Sequence, residues 1–299
     1  MSKFPLVSVA LATYNGEEFL RDQIESIYAQ TYKNIEVIVC DDSSTDSTTK
    51  ILDEYVASHG LKYYLNKNNI GFMRNFEKTI SLCSGDYVAL SDQDDVWLPN
   101  KISVLVDNIG DNDLVCSNAI LIDKKGDVLK GRWRTGDICF NSRDTFEFLL
   151  YRNFVTGCTS MIKKNLIKEA FPIPNNEKYH DWWLAIFAAQ RNGIVYLKQP
   201  LISYRQHERQ DTGAGRVSKI SMFISVFNKY FGKNEENVKF SQMQKNRIMG
   251  LLKKVSKAGN VKMMNEALIY FDDMGSNKRI HLRALWISIK KYRLLYKVI

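Results

Sequence analysis

Residues 5–45, PLVSVALATYNGEEFLRDQIESIYAQTYKNIEVIVCDDSST, decide the fold of this chain. A short β-branched run ends in a polar loop, an amphipathic segment follows, and a second apolar run ends in an aspartate pair. Within the middle segment, Leu20, Ile24 and Tyr28 recur at helical spacing. The stretch therefore predicts a strand, a helix and a second strand.

The same alternation continues through the first 120 residues. It predicts a helix through 48–58, a strand at 61–66, a helix beginning near Phe72 and a fourth strand at 86–90. Alternation of this kind is typical of an α/β fold with a mostly parallel central sheet and helices on both faces. Ligands bind such sheets beyond the carboxyl ends of the strands.

The pattern loosens after Trp97, where the prediction is a series of shorter elements. They are two strands in 113–129 joined by a KKGD turn, a helix at 146–153, a strand at 155–162, a helix at 180–193 and a broken strand at 194–207. The sequence shows no internal repeat.

Charge divides the chain in two. The net charge is +9, but residues 216–299 hold 18 Lys+Arg against 5 Asp+Glu, and the rest holds 24 against 28. We therefore predict one domain at 1–215, with halves 1–100 and 101–215, and a helical basic region at 216–299.

The five cysteines are scattered and contain no CxxC pair, which is typical of reduced core residues and indicates neither a disulfide framework nor a zinc site. The apolar start runs into acidic residues, unlike a secretory leader, and we found no apolar run of membrane-spanning length. We expect a cytoplasmic protein.

Three predicted strands end in polar groups, ATYNGEE, CDDSS and LSDQDD, which should face one crevice. The chain has no GxGxxG or GxxxxGK[ST] loop to hold phosphates. A phosphate-rich ligand would then need another counter-charge. Mn²⁺ or Mg²⁺ bound by Asp92 and Asp94 would supply it, because both ions prefer oxygen ligands.

Five motifs in this order resemble glycosyltransferase family 2, whose members are inverting, nucleotide-sugar-dependent enzymes of GT-A fold. They are VSVALATYNGEEFL, YAQTYKNIEVIVCDDSSTDST, NIGFMRNF, GDYVALSDQDDVWLPNKI and YHDWW. The resemblance covers residues 5–210. SDQDDVW, TGCTSM and YRQH are most similar to the bacterial rhamnosyltransferase branch of surface polysaccharide synthesis.

The resemblance implies which residues bind the donor. They are Ala12, Thr13, Tyr14, Glu17, Asp42, Arg74, Asp92 and Gln93. Asp42 matches the carboxylate that meets the base, and Arg74 falls where a basic residue lies near the donor, where its guanidinium suits a diphosphate. Residues 1–100 would then be the nucleotide-binding half and 101–215 the acceptor-binding half.

The resemblance also implies a metal site and a base. Asp94 of the DxD motif would bind the metal directly, Asp92 would lie near the ribose or the metal, and His207 would complete the metal sphere or remain a solvated loop residue. Asp95 matches no family role. Asp181 of HDWW is the candidate base, with helix capping as the alternative.

Trp182 and Trp183 are adjacent, so they cannot share one helix face. One should pack into the core while the other borders the site and shapes an acceptor subsite. The expected acceptor is a saccharide or a lipid-linked glycan, and the expected donor is dTDP-rhamnose or a UDP-hexose.

In the last segment, residues 279–299, five of the six arginines and lysines lie on one face of a predicted helix: Arg279, Arg283, Lys290, Arg293 and Lys297. Such a helix suits an anionic membrane surface, or it packs on the catalytic domain with a solvated basic face. We expect no nucleic-acid partner, because no nucleic-acid motif accompanies the charge.

Two other functions fit the same pattern. A metal-dependent nucleotidyltransferase or phosphohydrolase could use the same carboxylates, and a membrane-associated scaffold could bind nucleotide without catalysis. An intact carboxylate set favours an enzyme over the scaffold.

Overall fold

The structure is a computed structural model that describes residues 4–132, 142–208, 210, 235–255 and 258–275. These residues belong to two compact units. The first contains residues 4–132, 154–173, 178–208 and 210, and the second contains residues 142–153, 174–177, 235–255 and 258–275. The predicted boundary after residue 215 and the predicted basic helix at 279–299 lie outside the described residues.

A single sheet organises the first unit, and nine of its strands lie in the described residues. The strands are β1 Val7–Thr13, β2 Ile35–Asp41, β3 Lys62–Leu65, β4 Tyr87–Ser91, β5 Val96–Trp97, β6 Leu114–Ile122, β7 Val128–Arg132, β8 Ser160–Lys163 and β9 Ile194–Arg205. Their order is β3-β2-β1-β4-β8-β6-β9-β5, and β7 pairs with β6 outside this path.

Helices follow most of the strands. They are α1 Leu20–Tyr28, α2 Thr48–His59, α3 Phe72–Leu82, α4 Lys101–Ile109, α5 Ser142–Leu149, α6 Lys164–Ala170, α7 His180–Gln190, α8 Glu235–Leu252 and α9 Ala258–Gly275. The second unit contains α5 and the packed pair α8 and α9. None of the described helices combines the length and the apolar character that crossing a membrane requires.

The core lies where the sequence pattern puts it. β1 pairs in parallel with β2 on one side and β4 on the other, and six of its seven residues are buried, all except Ala12. In α1, Leu20, Ile24 and Ile27 are fully buried. Each buried side chain of this size contributes about 1.5–3 kcal/mol. The predicted strand–helix–strand unit is confirmed.

The predicted α/β fold class is confirmed, and the sheet is parallel from β1 to β4. Beyond β4 the sheet is mixed, because β8 enters antiparallel to both β4 and β6. The predicted strand at 155–162 is shorter than expected: Gly157–Thr159 form a 3₁₀ turn before β8 begins. The predicted broken strand at 194–207 is continuous in β9, with shifts in register against β6.

Candidate active site

The carboxyl ends of β1, β2 and β4 lie side by side, as neighbouring parallel strands require. Tyr14 follows β1 and Gln93 follows β4. Tyr14 N donates to Gln93 Oε1 over 2.8 Å, and Gln93 Nε2 donates to Tyr14 O over 2.9 Å. A Cβ at Gly16 would overlap the Gln93 carboxamide, so this glycine leaves room for Gln93 in its present position. Two predicted donor-binding residues thus form one surface.

The end of β1 is tied to the end of β2 by a buried hydrogen bond. Thr13 Oγ1 donates to Asp41 Oδ2 over 2.7 Å, and Ser44 N donates to Asp41 Oδ1 over 2.8 Å. Ala12 lies one residue earlier in β1 and is half-buried. The backbone around Ala12 and Thr13 is therefore held firmly, which suits the backbone contacts predicted for it.

Asp42, the residue predicted to meet the base, is buried. Its Oδ1 accepts from Asn66 Nδ2 and Ile70 N, and its Oδ2 accepts from Gly71 N, each over 2.8 Å. These donors lie between β3 and α3, so the carboxylate fixes that loop. A base contact by Asp42 stays a prediction.

Arg74 and Glu17 both contact protein groups. Arg74 Nη1 donates to Ile173 O over 2.9 Å and to the Glu77 carboxylate. Glu17 accepts from Ser47 N over 2.9 Å, at the start of α2. A diphosphate contact by Arg74 and a donor contact by Glu17 stay predictions.

Three aspartates follow β4, and Asp95 is the most deeply buried of them. Arg205 N donates to Asp95 Oδ1 over 3.0 Å, whereas Asp95 Oδ2 has no hydrogen-bond partner among the described residues. Burial, and then the charges of Asp94 and Asp92, raise the pKa of Asp95 well above its ordinary value. Burial, and then the Asp94 charge, also raise the pKa of Asp92 to about 7. Such crowding favours a bound cation.

The structure brings His207 to the aspartates, as predicted for a metal site. His207 Nε2 lies 2.8 Å from Asp94 Oδ2. Arg205 supports the pair, since its Nε donates to Asp94 O over 2.8 Å and its guanidinium covers the Phe19 ring that packs on His207. Asp94 and His207 have donor types that can bind Mn²⁺ or Mg²⁺. The three ligand atoms that the described residues bring within 4.8 Å of one another, however, belong to Asp92, Asp95 and Cys158.

Asp181 lies in the first turn of α7, as predicted. Its Oδ2 accepts from Gly157 N over 3.2 Å, and its Oδ1 accepts from Trp182 N over 2.5 Å. The charge of Asp181 also raises the pKa of Asp92, although burial and the Asp94 charge are the larger causes. The Asp181 and Asp92 carboxylates therefore act on each other electrostatically. In the chain, Gly157, which donates to Asp181, directly precedes Cys158, whose sulfur lies within 4.8 Å of carboxylate oxygens of Asp92 and Asp95.

The tryptophans after Asp181 are both buried. Trp183 is 0% exposed, and its Nε1 donates to Ala170 O over 2.8 Å, which makes it the predicted core residue. Trp182 is 6% exposed. Because a fully enclosed ring cannot contact a substrate, the acceptor role predicted for Trp183 finds no support in this geometry. An acceptor role for Trp182 stays a prediction.

His180, the neighbour of the candidate base, is enclosed by apolar contacts. Its ring stacks on Phe76 with centroids 4.0 Å apart, and a Cβ on Gly157 would lie 3.0 Å from its Nε2. Neither ring nitrogen has a hydrogen-bond partner in the part of the chain that the structure describes. Burial lowers the pKa of His180 to about 3, so the imidazole is neutral at physiological pH.

Two residues of this region were missed by the sequence analysis. Lys101 is fully buried, and its Nζ donates to Cys158 O over 2.5 Å. Burial lowers the pKa of Lys101 to about 7, opposed by nearby negative charges. The second missed residue is Arg205, to which the quoted YRQH motif could have pointed. For Lys101 no such signal exists, because a lysine in LPNKI is typical of a solvated helix start.

Comparisons with known proteins agree with this geometry. A sequence model described as glycosyl transferase family 2 matches residues 8–171. The chain is 33% identical to the dTDP-rhamnosyl transferase RfbG of Shigella flexneri over 219 residues, 68% of this chain and 74% of the relative. It is 28% identical to an uncharacterized glycosyltransferase of Haemophilus influenzae over 309 residues, 98% of this chain and 89% of the relative.

Solved structures show the same fold at low identity. S. aureus TarS 1–349 in complex with UDP-GlcNAc has a TM-score of 0.63 at 16% identity, covering 97% of this chain and 75% of that one. The mannosyltransferase PcManGT of Pyrobaculum calidifontis, in complex with GDP-Man and Mn²⁺, has a TM-score of 0.56 at 15% identity, covering 99% and 82%. The fold is therefore GT-A, and with the family match the conclusion follows that this chain belongs to glycosyltransferase family 2.

Proposed function

We propose that the protein transfers a sugar from a nucleotide-diphosphate sugar to a saccharide or lipid-linked acceptor, with inversion and with the help of a divalent cation. The observation that carries the proposal is the contact between His207 Nε2 and Asp94 Oδ2, 2.8 Å apart at the carboxyl edge of the sheet. The two side chains are only 11% and 13% exposed, so the contact differs from a solvated surface pair. Family membership supports the reaction class.

The donor would lie across the ends of β1, β2 and β4. The surface formed by Tyr14 and Gln93, with the backbone of Ala12 and Thr13, suits the base and ribose. Two solved relatives in fold were determined with UDP-GlcNAc and GDP-Man, which supports a nucleotide-sugar donor. RfbG is a dTDP-rhamnosyl transferase, so dTDP-rhamnose is our first choice of donor over a UDP-hexose.

Asp94, Asp92 and His207 would hold Mn²⁺ or Mg²⁺. When bound, such a cation offsets the negative charge that develops on the departing diphosphate. The same cation would relieve the repulsion that raises the pKa of Asp92. Asp94 is half-buried, so its carboxylate can reach both a cation and solvent.

Asp181 would act as the base. The acceptor hydroxyl attacks the anomeric carbon from the face opposite the diphosphate, and the Asp181 carboxylate takes its proton. Hydrogen bonds from Gly157 N and Trp182 N hold the carboxylate in one orientation. The diphosphate leaves with the bonding electrons, and the configuration at the anomeric carbon is inverted.

The acceptor would be part of a bacterial surface glycan, as the resemblance of SDQDDVW, TGCTSM and YRQH to the rhamnosyltransferase branch implies. A lipid-linked acceptor would suit attachment to the inner face of the membrane through the basic segment 279–299, which lies outside the described residues. Membrane attachment stays a proposal, and the alternative is that the same segment forms a helix that packs on the catalytic domain.

The function is tested by incubating the purified protein with Mn²⁺ and a panel of dTDP- and UDP-linked sugars, and measuring nucleoside diphosphate release. We expect one donor to be consumed. Asp181→Asn should lower that rate about 10²- to 10⁴-fold, because a positioned base contributes that much. Asp107→Asn, on the exposed face of α4, is the matched control and should keep the wild-type rate. A panel without turnover, or an Asp181→Asn variant at the wild-type rate, would contradict the proposal.

A further inference from the structure

Lys101, the first residue of α4, has a side chain that is 0% exposed. Lysine is almost never fully buried unless its charge is paired. Its Nζ lies 3.5 Å from the centre of the Trp97 ring and donates to Cys158 O over 2.5 Å. The ammonium group is therefore held in the interior by a cation–π contact and a hydrogen bond.

The Cys158 carbonyl belongs to the turn that supports the proposed base. Gly157 directly precedes Cys158, and its N–H donates to Asp181 Oδ2 over 3.2 Å. Because the two groups are on adjacent residues, a shift of the Cys158 carbonyl would also shift the donor that orients Asp181. Lys101 is thus linked to Asp181 through one short turn.

Cys158 also faces the aspartates. One ligand atom each of Asp92, Asp95 and Cys158 lies within 4.8 Å of the others. The negative charges of Asp95 and Asp92 favour the charged form of Lys101 and oppose the effect of its burial. Within the described residues, Asp95 Oδ2 has no hydrogen-bond partner, so a nearby positive charge is a physical reason why its burial is tolerated.

We propose that Lys101 is a positioning residue: its ammonium group holds the Gly157–Cys158 turn and provides positive charge to the buried carboxylates from inside the protein. Its effect on sugar transfer rests on the proposed function, whereas its hold on the turn rests on the contacts with Trp97 and Cys158 O, and Cys158 in turn lies beside Asp92 and Asp95. An internal cation reduces carboxylate repulsion in the metal-free protein and also reduces the attraction for a divalent cation. Removing it should therefore tighten metal binding while slowing transfer.

Lys101→Met tests this inference, since it keeps the stem and removes the donor and the charge. Mn²⁺ without nucleotide is titrated with protein, and free Mn²⁺ is followed by electron paramagnetic resonance. We expect Mn²⁺ to bind about tenfold more tightly to Lys101→Met than to the wild type. We expect kcat to fall at least about tenfold and the donor KM to change less than about threefold.

Lys164→Met is the matched control. Lys164 Nζ also donates to a backbone carbonyl, Ser84 O over 2.8 Å, but at the surface. Mn²⁺ affinity and kcat of this variant should equal those of the wild type. A change of the same size in Lys164→Met would mean that loss of any such hydrogen bond produces the effect.

The double variant Lys101→Met, Asp95→Asn separates charge from packing. In metal-free urea unfolding, the single Lys101→Met change should lower the midpoint, and adding Asp95→Asn should recover part of the loss, because the unpaired carboxylate is gone. Recovery of folding by the double variant alone would also support the inference.

Three results would overturn the assignment of Lys101: wild-type Mn²⁺ affinity and kcat in Lys101→Met, a parallel loss of both, or a double variant no more stable than the single one. The last two indicate lost packing rather than lost charge. A wild-type protein that binds Mn²⁺ but transfers no sugar would count against the proposed function instead. The urea comparison needs neither metal nor donor, so it decides the role of the charge in either case.

Discussion

Two strand ends in this sheet carry buried aspartates, and they differ in how completely the protein satisfies them. At the β2 end, Asp41 and Asp42 each accept three hydrogen bonds from nearby loops. At the β4 end, Asp95 Oδ2 has no partner among the described residues, and the pKa of Asp92 is raised to about 7 by burial and by the Asp94 charge. Because perturbed pKa values cluster at functional sites, we expect the chemistry at the β4 end, whereas the hydrogen bonds at the β2 end give Asp41 and Asp42 a structural role.

The largest expected effect comes from removing a carboxylate at the β4 end. Asp94→Ala leaves His207 without its 2.8 Å contact and removes the carboxylate closest to it. We expect transfer to fall at least about a hundredfold, because a cation on the leaving group is worth several kcal/mol. Steady-state rates across Mn²⁺ concentrations measure this. A variant within about threefold of the wild type would show that the β4 end is not the metal site.

At the β2 end the expected loss is one of stability. Asp42→Asn keeps the size of the side chain but turns one oxygen into an NH₂ group that faces backbone N–H donors. We expect the free energy of unfolding to fall by about 2 kcal/mol in urea titrations. Asp53→Asn is the control, because Asp53 accepts one exposed hydrogen bond from Tyr63, and its stability should change by less than about 0.5 kcal/mol. Equal losses of unfolding free energy in the two variants would contradict a structural role for Asp42.

His180 allows a further test, through the pH dependence of the free energy of unfolding. Its folded-state pKa of about 3 lies below the ordinary 6.5, so between these values the unfolded state binds the extra proton and stability falls as pH falls. The contribution is about 1.4 kcal/mol per pH unit below 6.5, and it is fully present above that pH. Urea unfolding of His180→Phe from pH 7.5 to pH 5 should lack this part of the slope. His59→Phe, at the exposed end of α2, should retain it, and an unchanged slope in His180→Phe would contradict the burial argument.

The sequence predicted the helices and strands whose structure follows from their own residues rather than from distant partners. The spacing of Leu20, Ile24 and Ile27 buries one face of α1, and the β-branched runs give β1, β2 and β4, as expected. β8 was harder, because its antiparallel place between β4 and β6 depends on partners far along the chain. Propensity within 155–162 could not show that a 3₁₀ turn precedes it.

The candidate site likewise contains residues that the sequence predicted and a residue whose role depends on distant contacts. The family resemblance pointed to Asp92, Asp94, Asp181 and His207, and the structure brings Asp94 into contact with His207. The burial of Lys101 could not be predicted, since it follows from Trp97 and Cys158 closing over a lysine that begins a helix. The sequence analysis considered only a bound metal as positive charge at these aspartates, whereas the charges of Asp95 and Asp92 also favour the charged form of the buried Lys101.

One calorimetric experiment tests the central claim most directly: titration of dTDP, UDP and their nucleotide sugars into the wild type and Asp181→Asn, with Mn²⁺ and with EDTA. We predict that both proteins bind the preferred nucleotide equally in Mn²⁺, that binding is lost in EDTA, and that only the wild type gives the continuing heat of turnover with the matching nucleotide sugar. Binding that ignores Mn²⁺, or full turnover by Asp181→Asn, would contradict a metal-dependent transfer with Asp181 as the base.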